Sequence, residues 1–418
     1  MRSSRGRVLA DLLEAAENAS PVEAAEAVTR ELGTALGART VTFLIADLSG
    51  RALVRLAHVP IRSTGEERRN GGELATVLPF DGGPAEQALR GQTVRVVEQS
   101  DGWTVLAPVT DRGEAIGLLE LLLPEEPDER TLAEIARTAH ALAFVVIANR
   151  RHTDLFEWGQ RTTPFTLSAE IQRRLLPAAF TCEASAFTLS GWLEPAASIG
   201  GDTFDYSLAR DVLHFSVTDA MGHGVTSALT ATLGVGSLRN SRRRAVGLVE
   251  QAEAADAVVA EHALVPGSYV TALLGRLDLR SGVCLLVNAG HVPPLLVRDG
   301  DTQPLRLPGN FPFGMFAGAG YRSGELAMRP GDRLVLLTDG MRERNAANLD
   351  LPALLRSFAQ LHPREAVRAL ADAVIEVSGP TLVDDATLLI LDWHGGHGED
   401  RRSSAGADQS RASTTRPD

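Results

Sequence analysis

From Val22 to Leu36 apolar residues recur at helical spacing, which predicts a helix. Thr40 to Ala46 is rich in β-branched residues, Asp47-Leu48-Ser49-Gly50 is a turn, and Arg51 to Val59 alternates as a returning strand. Pro60 to Gly72 is polar and Gly-rich, so a loop is predicted there. Pro84 to Leu89 has the pattern of a short helix closed by Gly91. Strands are predicted at Thr93 to Glu98, Trp103 to Thr110 and Ala115 to Leu123, the last two separated by the turn Asp111-Arg112-Gly113. Leu132, Ile135, Ala139, Leu142 and Val146 then fall at helical spacing in Thr131 to Asn149.

These patterns set out a first domain over residues 1–150, followed by a helical linker over 151–177. In the linker, Leu167, Ile171 and Leu175 stand at i, i+4 and i+8 and predict one buried stripe, with Arg173 and Arg174 opposite and Pro177 as the stop. A second domain occupies 178–394. Residues 395–418 are Gly, Ser, Asp, Arg and Thr with almost nothing apolar, which predicts a disordered tail.

Composition narrows the chemistry. The 418 residues contain 53 acids and 41 basic residues, a net charge of −12, and every basic residue is arginine. Without lysine there is no phosphate-binding P-loop, no protein kinase and no Schiff-base chemistry. The acidic balance argues against nucleic acid as a partner. The two cysteines, Cys182 and Cys284, make no disulfide framework, so a cytoplasmic location is expected. Met1 to Ala10 lacks the apolar segment of a signal peptide, and the longest apolar run, Ala139 to Ala148, is too short to span a bilayer, so no membrane association is expected.

The second domain sets aspartates at the ends of apolar strands four times. They occur in Gly200-Gly201-Asp202-Thr203-Phe204-Asp205, in Thr218-Asp219-Ala220-Met221-Gly222-His223-Gly224, in Thr338-Asp339-Gly340 and in Val383-Asp384-Asp385-Ala386-Thr387. A carboxylate beside a buried strand is costly to desolvate without a partner. None of the four segments carries a nearby arginine on the strand side, and no His or Cys cluster accompanies them, so a hard divalent cation, magnesium or manganese, suits them better than zinc. Two such ions can activate a water and clamp a phosphoryl group for in-line attack.

Residues 165–392 resemble the catalytic domain of metal-dependent serine/threonine protein phosphatases of the bacterial SpoIIE/RsbU-like branch. The resemblance rests on the four segments above together with Tyr269-Val270-Thr271-Ala272, Asn288-Ala289-Gly290-His291-Val292-Pro293-Pro294 and Phe313-Gly314-Met315. It implies an α/β fold with two β-sheets sandwiched between helices. It also implies two divalent cations, Mn2+ or Mg2+, held by Asp202, Asp219, Asp339, Asp384 and the Ala220 carbonyl. Asp384 is favoured over its neighbour Asp385, which would order a water. His223 is either a group beside the metals or a turn residue. The implied substrate is phosphoserine or phosphothreonine on a regulatory protein, an anti-sigma-factor antagonist of STAS type. The order of elements in residues 1–150 resembles a GAF domain, a small α/β sensor, which implies an unknown small-molecule or protein signal and a homodimer. Two rivals remain: a non-catalytic regulator with a decayed metal site, and a small-molecule phosphoesterase. Elsewhere, His291 and Asn288 are expected to make structural hydrogen bonds and Asp205 to serve the fold. Cys284 is expected in the core, the arginines of 239–244 in a solvated loop, and Glu343 as an orienting group beside Asp339.

Overall fold

The computed structural model describes residues 3–58, 68–70, 73–194, 200–316, 318, 320–341, 349–378, 385–396, 403–408, 410 and 411. The chain forms two compact units, one from Met1–Pro164 with Arg402–Thr415 and one from Phe165–Arg401 with Arg416–Asp418.

The first unit begins with α1 (Ser3–Asn18) and α2 (Ala24–Leu36). The latter buries Ala24, Ala25, Val28 and Leu32 and ends at Gly37, whose φ of 63° reverses the chain. The strands β1 (Thr40–Ala46), β2 (Ala52–His58), β3 (Arg68–Asn70) and β4 (Glu73–Pro79) follow, then α3 (Pro84–Gly91). The strands β5 (Arg95–Gln99), β6 (Gly102–Asp111) and β7 (Glu114–Leu123) lead to α4 (Glu129–Asn149) and α5 (Leu155–Gln160). The seven strands form one antiparallel sheet in the order β3-β4-β2-β1-β7-β6-β5. Alternation along β1 sends Ile45 to a core shared with α1, α2 and α4, and Leu44 and Ala46 to a smaller one under α3. By length and composition α4 is apolar enough to cross a membrane, but its Ile135, Ala139, Leu142 and Val146 lie in this unit's core.

Three expectations change here. The loop predicted over 60–72 lies largely outside the described residues, and Arg68–Asn70 within it forms a short edge strand on β4. The stretch 151–177 is two helices, one in each unit, rather than a free linker. The tail is structured where described: Ser404 and Ala407 form a β-bridge, and Ala407 and Asp408 are buried.

The second unit starts with α6 (Leu167–Leu175), capped by the Thr166 hydroxyl accepting from the Ala169 amide. Next come β8 (Thr181–Glu183), β9 (Phe187–Glu194), β10 (Asp202–Leu208) and β11 (Val212–Ala220), then α7 (Gly224–Arg243) and α8 (Leu248–His262). The strands β12 (Val270–Asp278), β13 (Val283–Ala289), β14 (Leu295–Arg298), β15 (Asp301–Pro304), β16 (Gly309–Asn310), β17 (Gly324–Ala327) and β18 (Arg333–Leu337) precede α9 (Leu351–Ser357), α10 (Pro363–Ser378) and β19 (Ala386–Trp393). One sheet runs β10-β11-β12-β13-β16, with β17 also on β13, and the other runs β15-β14-β18-β19-β9-β8.

Strand alternation makes this a four-layer sandwich. Phe204, Phe215, Val217, Leu273 and Leu286 of the first sheet meet Phe187, Leu189, Leu334, Leu336, Leu389 and Leu391 of the second. The outer face of the first sheet packs on α7 and α8, and that of the second on α9 and α10. The α-β-β-α layering implied by the sequence is therefore present. Gly191 lies against the Phe204 ring, where a Cβ would collide, so glycine sets the closeness of the layers there. Cys284 is buried in the inter-sheet core, and burial pushes its thiol up to about 12.

The arginines of 239–244 depart from expectation. Because α7 continues to Arg243, Arg239 and Arg242 lie on its last turns and pair with buried Asp205 at 2.9 and 3.0 Å, fixing β10 to α7. Asp205 thus serves the fold, as its position suggested. Replacing Asp205 by Asn should cost about 3 kcal/mol, because two largely buried guanidinium groups lose their counter-charge. Urea unfolding followed by circular dichroism checks this, and a midpoint equal to wild type would contradict it.

Candidate metal centre

The β10–β11 register sets Asp202 directly opposite Asp219, each at one end of its strand. Asp202 is 3% exposed. Among the described residues no arginine pairs with its carboxylate, which accepts a hydrogen bond from the Thr338 hydroxyl at 2.6 Å. Desolvation raises the pKa of Asp202 well above the usual carboxylate range, reinforced by the charges of Asp219 and then Asp385, and opposed by hydrogen bonding from Thr338 and Thr387. Two acidic groups, Asp219 of the first sheet and Asp385 at the edge of the second, therefore influence one buried carboxylate.

The second sheet supplies its part through a tight corner. Thr338 follows β18, its hydroxyl accepts from the Thr387 amide at 3.0 Å, and its amide donates to the Thr387 carbonyl. Gly340 is obligatory at this corner because an added Cβ would overlap the Asp385 carbonyl. Asp339 begins a short 3-10 turn and is solvent-exposed. Asp385 is 1% exposed. The structure thus brings Asp385 into the site, whereas Asp384, the favoured ligand from sequence, lies outside the described residues, as does Glu343.

The Ala220 carbonyl accepts from the Ser227 hydroxyl at 2.8 Å, so one of its lone pairs is committed to the first turn of α7. Gly201 lies so close to this carbonyl that a Cβ would stand 2.5 Å from the oxygen. His223 is exposed, occupies the N-cap position of α7 and makes no side-chain capping bond. No hydrogen bond or ion pair among the described residues joins it to the acids.

Gln172 was not anticipated. Its side-chain amide donates to Asp385 Oδ2 at 2.6 Å and to the Asp202 carbonyl at 2.8 Å. The buried face of α6 is Ser168, Ala169, Gln172 and Leu175, while Leu167 is 65% exposed, so the stripe predicted from Leu167 and Ile171 is rotated. The signal available was a glutamine one turn before Leu175 on a face that must also pack. His291 is buried with its Nδ1 2.7 Å from the Thr271 hydroxyl, and its amide and carbonyl are bonded by the Asn288 side chain. Burial pushes the pKa of His291 down to about 4, partly opposed by the Leu337 backbone.

Among the described residues no three acidic, His or Cys side chains gather closely enough to hold a metal by themselves. The donors nevertheless fit a hard cation, because Asp202 is buried beside the like charges of Asp219 and Asp385 with no cationic partner among the described residues.

Residues 209–394 match the family of stage II sporulation protein E (SpoIIE). The chain is 24% identical over 193 residues to the phosphoserine phosphatase RsbP of Bacillus subtilis (strain 168), covering 45% of this chain and 46% of the relative. It is 21% identical over 232 residues to the phosphoserine phosphatase RsbU of the same organism, covering 54% and 68%. This chain thus spans about half the length of RsbP. Among solved structures, the RsbU and RsbW domains of a Mycobacterium tuberculosis protein align with a TM-score of 0.45 and 29% identity, over 51% of this chain and 62% of that one.

Two outcomes are expected. Gln172→Ala should weaken manganese binding by about 10- to 100-fold, because an outer-shell donor to a carboxylate is lost. Calorimetric titration of the folded variant checks this, and wild-type affinity would contradict it. His214 and His291 have pKa values lowered from 6.5 to about 4, His214 by burial and then Arg242 and Arg276. Both are neutral in the fold, so their contribution is complete above pH 6.5 and is lost as pH falls towards 4. Melting temperature should fall over that interval, and less steeply in His291→Gln.

Proposed function

We propose that this chain, which carries a SpoIIE-type phosphatase domain, hydrolyses phosphoserine or phosphothreonine on a regulatory protein in a metal-dependent reaction. The observation that carries this is the register pairing of Asp202 with Asp219, with Asp202 buried near Asp385 and without a cationic partner among the described residues. The ligands are Asp202, Asp219, Asp339, Asp384 and the remaining lone pair of the Ala220 carbonyl, for two ions of Mn2+ or Mg2+. When bound, these ions activate a water and neutralise charge on the phosphoryl oxygens.

The chain's own groups do the positioning. Thr338 holds the Asp202 carboxylate in one orientation from the opposite sheet. Gln172 holds Asp385 and the start of β10 together. The chain has no lysine, and its two cysteines are buried, so neither a lysine amine nor an accessible thiol accepts the phosphoryl group, and water is the acceptor proposed.

The substrate class is a phosphorylated anti-sigma-factor antagonist of STAS type. The family resemblance supports this, and two relatives named as phosphoserine phosphatases support phosphoserine as the bond hydrolysed. The first unit is proposed to act as a GAF-like sensor of an unknown signal, the protein to be a cytoplasmic homodimer, and neither nucleic acid nor membrane to be a partner.

The test is manganese-dependent phosphate release from a panel of phosphorylated STAS proteins. Asp219→Asn and Asp339→Asn should each lose at least about 100-fold in rate while melting near wild type, since each removes a ligand rather than a core contact. Wild-type rates in either variant would sink the ligand set. A larger loss in Asp385→Asn than in Asp384→Asn would transfer the ligand role to Asp385. Absence of both turnover and metal binding would favour a decayed regulator, and preference for small aryl phosphates would favour a small-molecule phosphoesterase.

A further inference from the structure

The end of the first sheet that carries Asp202 and Asp219 also carries apolar side chains that the fold leaves in water. The register places Ala220 opposite Val270, and Val270 forms a β-bridge with Phe313, so the three stand in one row. In the next row the Met221 amide donates to the Tyr269 carbonyl at 3.0 Å. Strand spacing puts Phe313 about 10 Å from Ala220, whose carbonyl is a proposed metal ligand. Ala220, Val270 and Phe313 are buried. Met221, Leu264, Val265, Phe311, Met315 and Phe316 are exposed, Phe311 by 51% and Phe316 by 55%. The Phe311 and Phe316 rings meet edge to face with centroids 4.6 Å apart. Leu264 and Val265 belong to the α8–β12 turn, whose Ser268 carbonyl would stand 3.1 Å from a Cβ on Gly314.

Buried polar groups hold these side chains in place. Asp256 of α8 is buried and accepts from the Gly314 amide at 2.8 Å and the Gly318 amide at 3.3 Å. Gly314 has φ of +85°, and an added Cβ would stand 2.5 Å from Val259 Cγ1, so glycine lets the chain pass α8 this closely. The buried Tyr321 donates its hydroxyl hydrogen to the Phe311 carbonyl at 3.2 Å. The Asn310 side chain donates to the Asn288 and Arg322 carbonyls at 3.0 and 3.1 Å and accepts from the Arg322 amide at 2.9 Å. A loop tied at Asn310, Phe311, Gly314 and Gly318 cannot turn its two exposed rings into the core without breaking those bonds. Exposure of the ring pair is therefore built into the loop. A pre-ordered, solvent-facing aromatic pair is the kind of group on which protein–protein binding concentrates.

We infer that the surface from Met221 to Phe316 is the docking site for the protein part of the phosphorylated substrate. One partner makes both contacts, its phosphoryl group at the acids and its apolar face at this surface, because both lie at one end of the first sheet. A second copy of this chain seated there would cover the same sheet end and obstruct the acids. The partner that fits presents apolar side chains roughly 10 Å from its phosphorylated residue, matching the two strand spacings between Ala220 and Phe313. A small phosphate ester reaches the acids without meeting the aromatic pair, so this surface separates protein substrates from small ones. Asp256 is a positioning residue that acts through Gly314 and Gly318. The inference rests on the proposed phosphatase function and adds where the substrate protein is held.

The experiment compares full-length wild type with Phe311→Ser and Phe316→Ser, and with Val265→Asp as a variant outside the ring pair. Manganese-dependent phosphate release is measured on the panel of phosphorylated STAS proteins and on a small aryl phosphate. In each variant the ratio of kcat/KM for phosphoprotein to kcat/KM for aryl phosphate should fall at least about tenfold, mainly through KM. An unchanged ratio, with both substrates turned over, would overturn the docking site and leave the phosphatase function standing. Release from the aryl phosphate but from no phosphoprotein would also overturn the docking site. No release from either substrate would overturn the phosphatase function and the docking site together. Sedimentation equilibrium is the second readout. A wild-type dimer that these variants convert to monomer would make the surface a contact between copies, and the proposal would fail.

Discussion

The second unit is organised around a charge that it cannot bury cheaply. The register that pairs β10 with β11, and keeps Phe204, Phe215 and Val217 in the inter-sheet core, brings Asp202 opposite Asp219. A one-residue slip would separate the acids but would turn those apolar side chains out of the core. Hydrophobic burial therefore enforces an electrostatic conflict at the strand ends, and the surrounding polar groups answer it. An uncompensated buried carboxylate costs several kcal/mol, so the site calls for positive charge that no described side chain brings to Asp202.

The response draws on both sheets and on the helices beside the first sheet near that end. The first sheet provides the two facing acids, and the second provides Thr338, Thr387 and Asp385 through the corner joining β18 to β19. The inner helical surface provides Gln172 and Ser227. Because the sheets are held together by a close-packed apolar core, the spacing of these groups is fixed by packing rather than by the polar contacts themselves. Preorganisation of this kind lets a cation gain ligands without the protein first paying to order them. The Asp205 pair with Arg239 and Arg242 has a different role: it satisfies a buried acid inside the protein and leaves it unavailable to a metal.

Much of this was legible because strands have a period of two and their ends are marked by Gly and Asp. The strand-end segments containing Asp202, Asp219 and Asp339 are readable without coordinates, whereas the sandwich came from the family resemblance that those segments carry. Gln172 was hidden for a specific reason. On a nine-residue helix, Leu167, Ile171 and Leu175 make a convincing stripe, but the face is decided by what it meets, and here it meets polar backbone and Asp385. Arg239 and Arg242 were hidden because a run of arginines resembles a solvated loop until the length of α7 is known. The strand β4 ends in Pro79 and alternates weakly, and among its described side chains α1 gives Leu12 and Ala16 to the core, so neither has a strong periodic signature.

The segment after β19 shows where an argument from composition stops. Low apolar content means that a stretch cannot pay for its own ordering by building a core. That applies to a segment folding alone. Ser403–Asp408 is short, rich in small residues with little side-chain entropy to lose, and meets a surface already formed by β6, β7 and α4. Its cost is the ordering of a few backbone units, offset by hydrogen bonds and by the removal of Ala407 from water. Composition is silent about such docking because the deciding quantity, the shape of the receiving surface, belongs to residues some three hundred positions away in the chain. A disorder expectation for a polar segment is therefore conditional on the absence of a complementary surface elsewhere in the same molecule, and glycine, the residue that most favours disorder in isolation, is the one this surface requires.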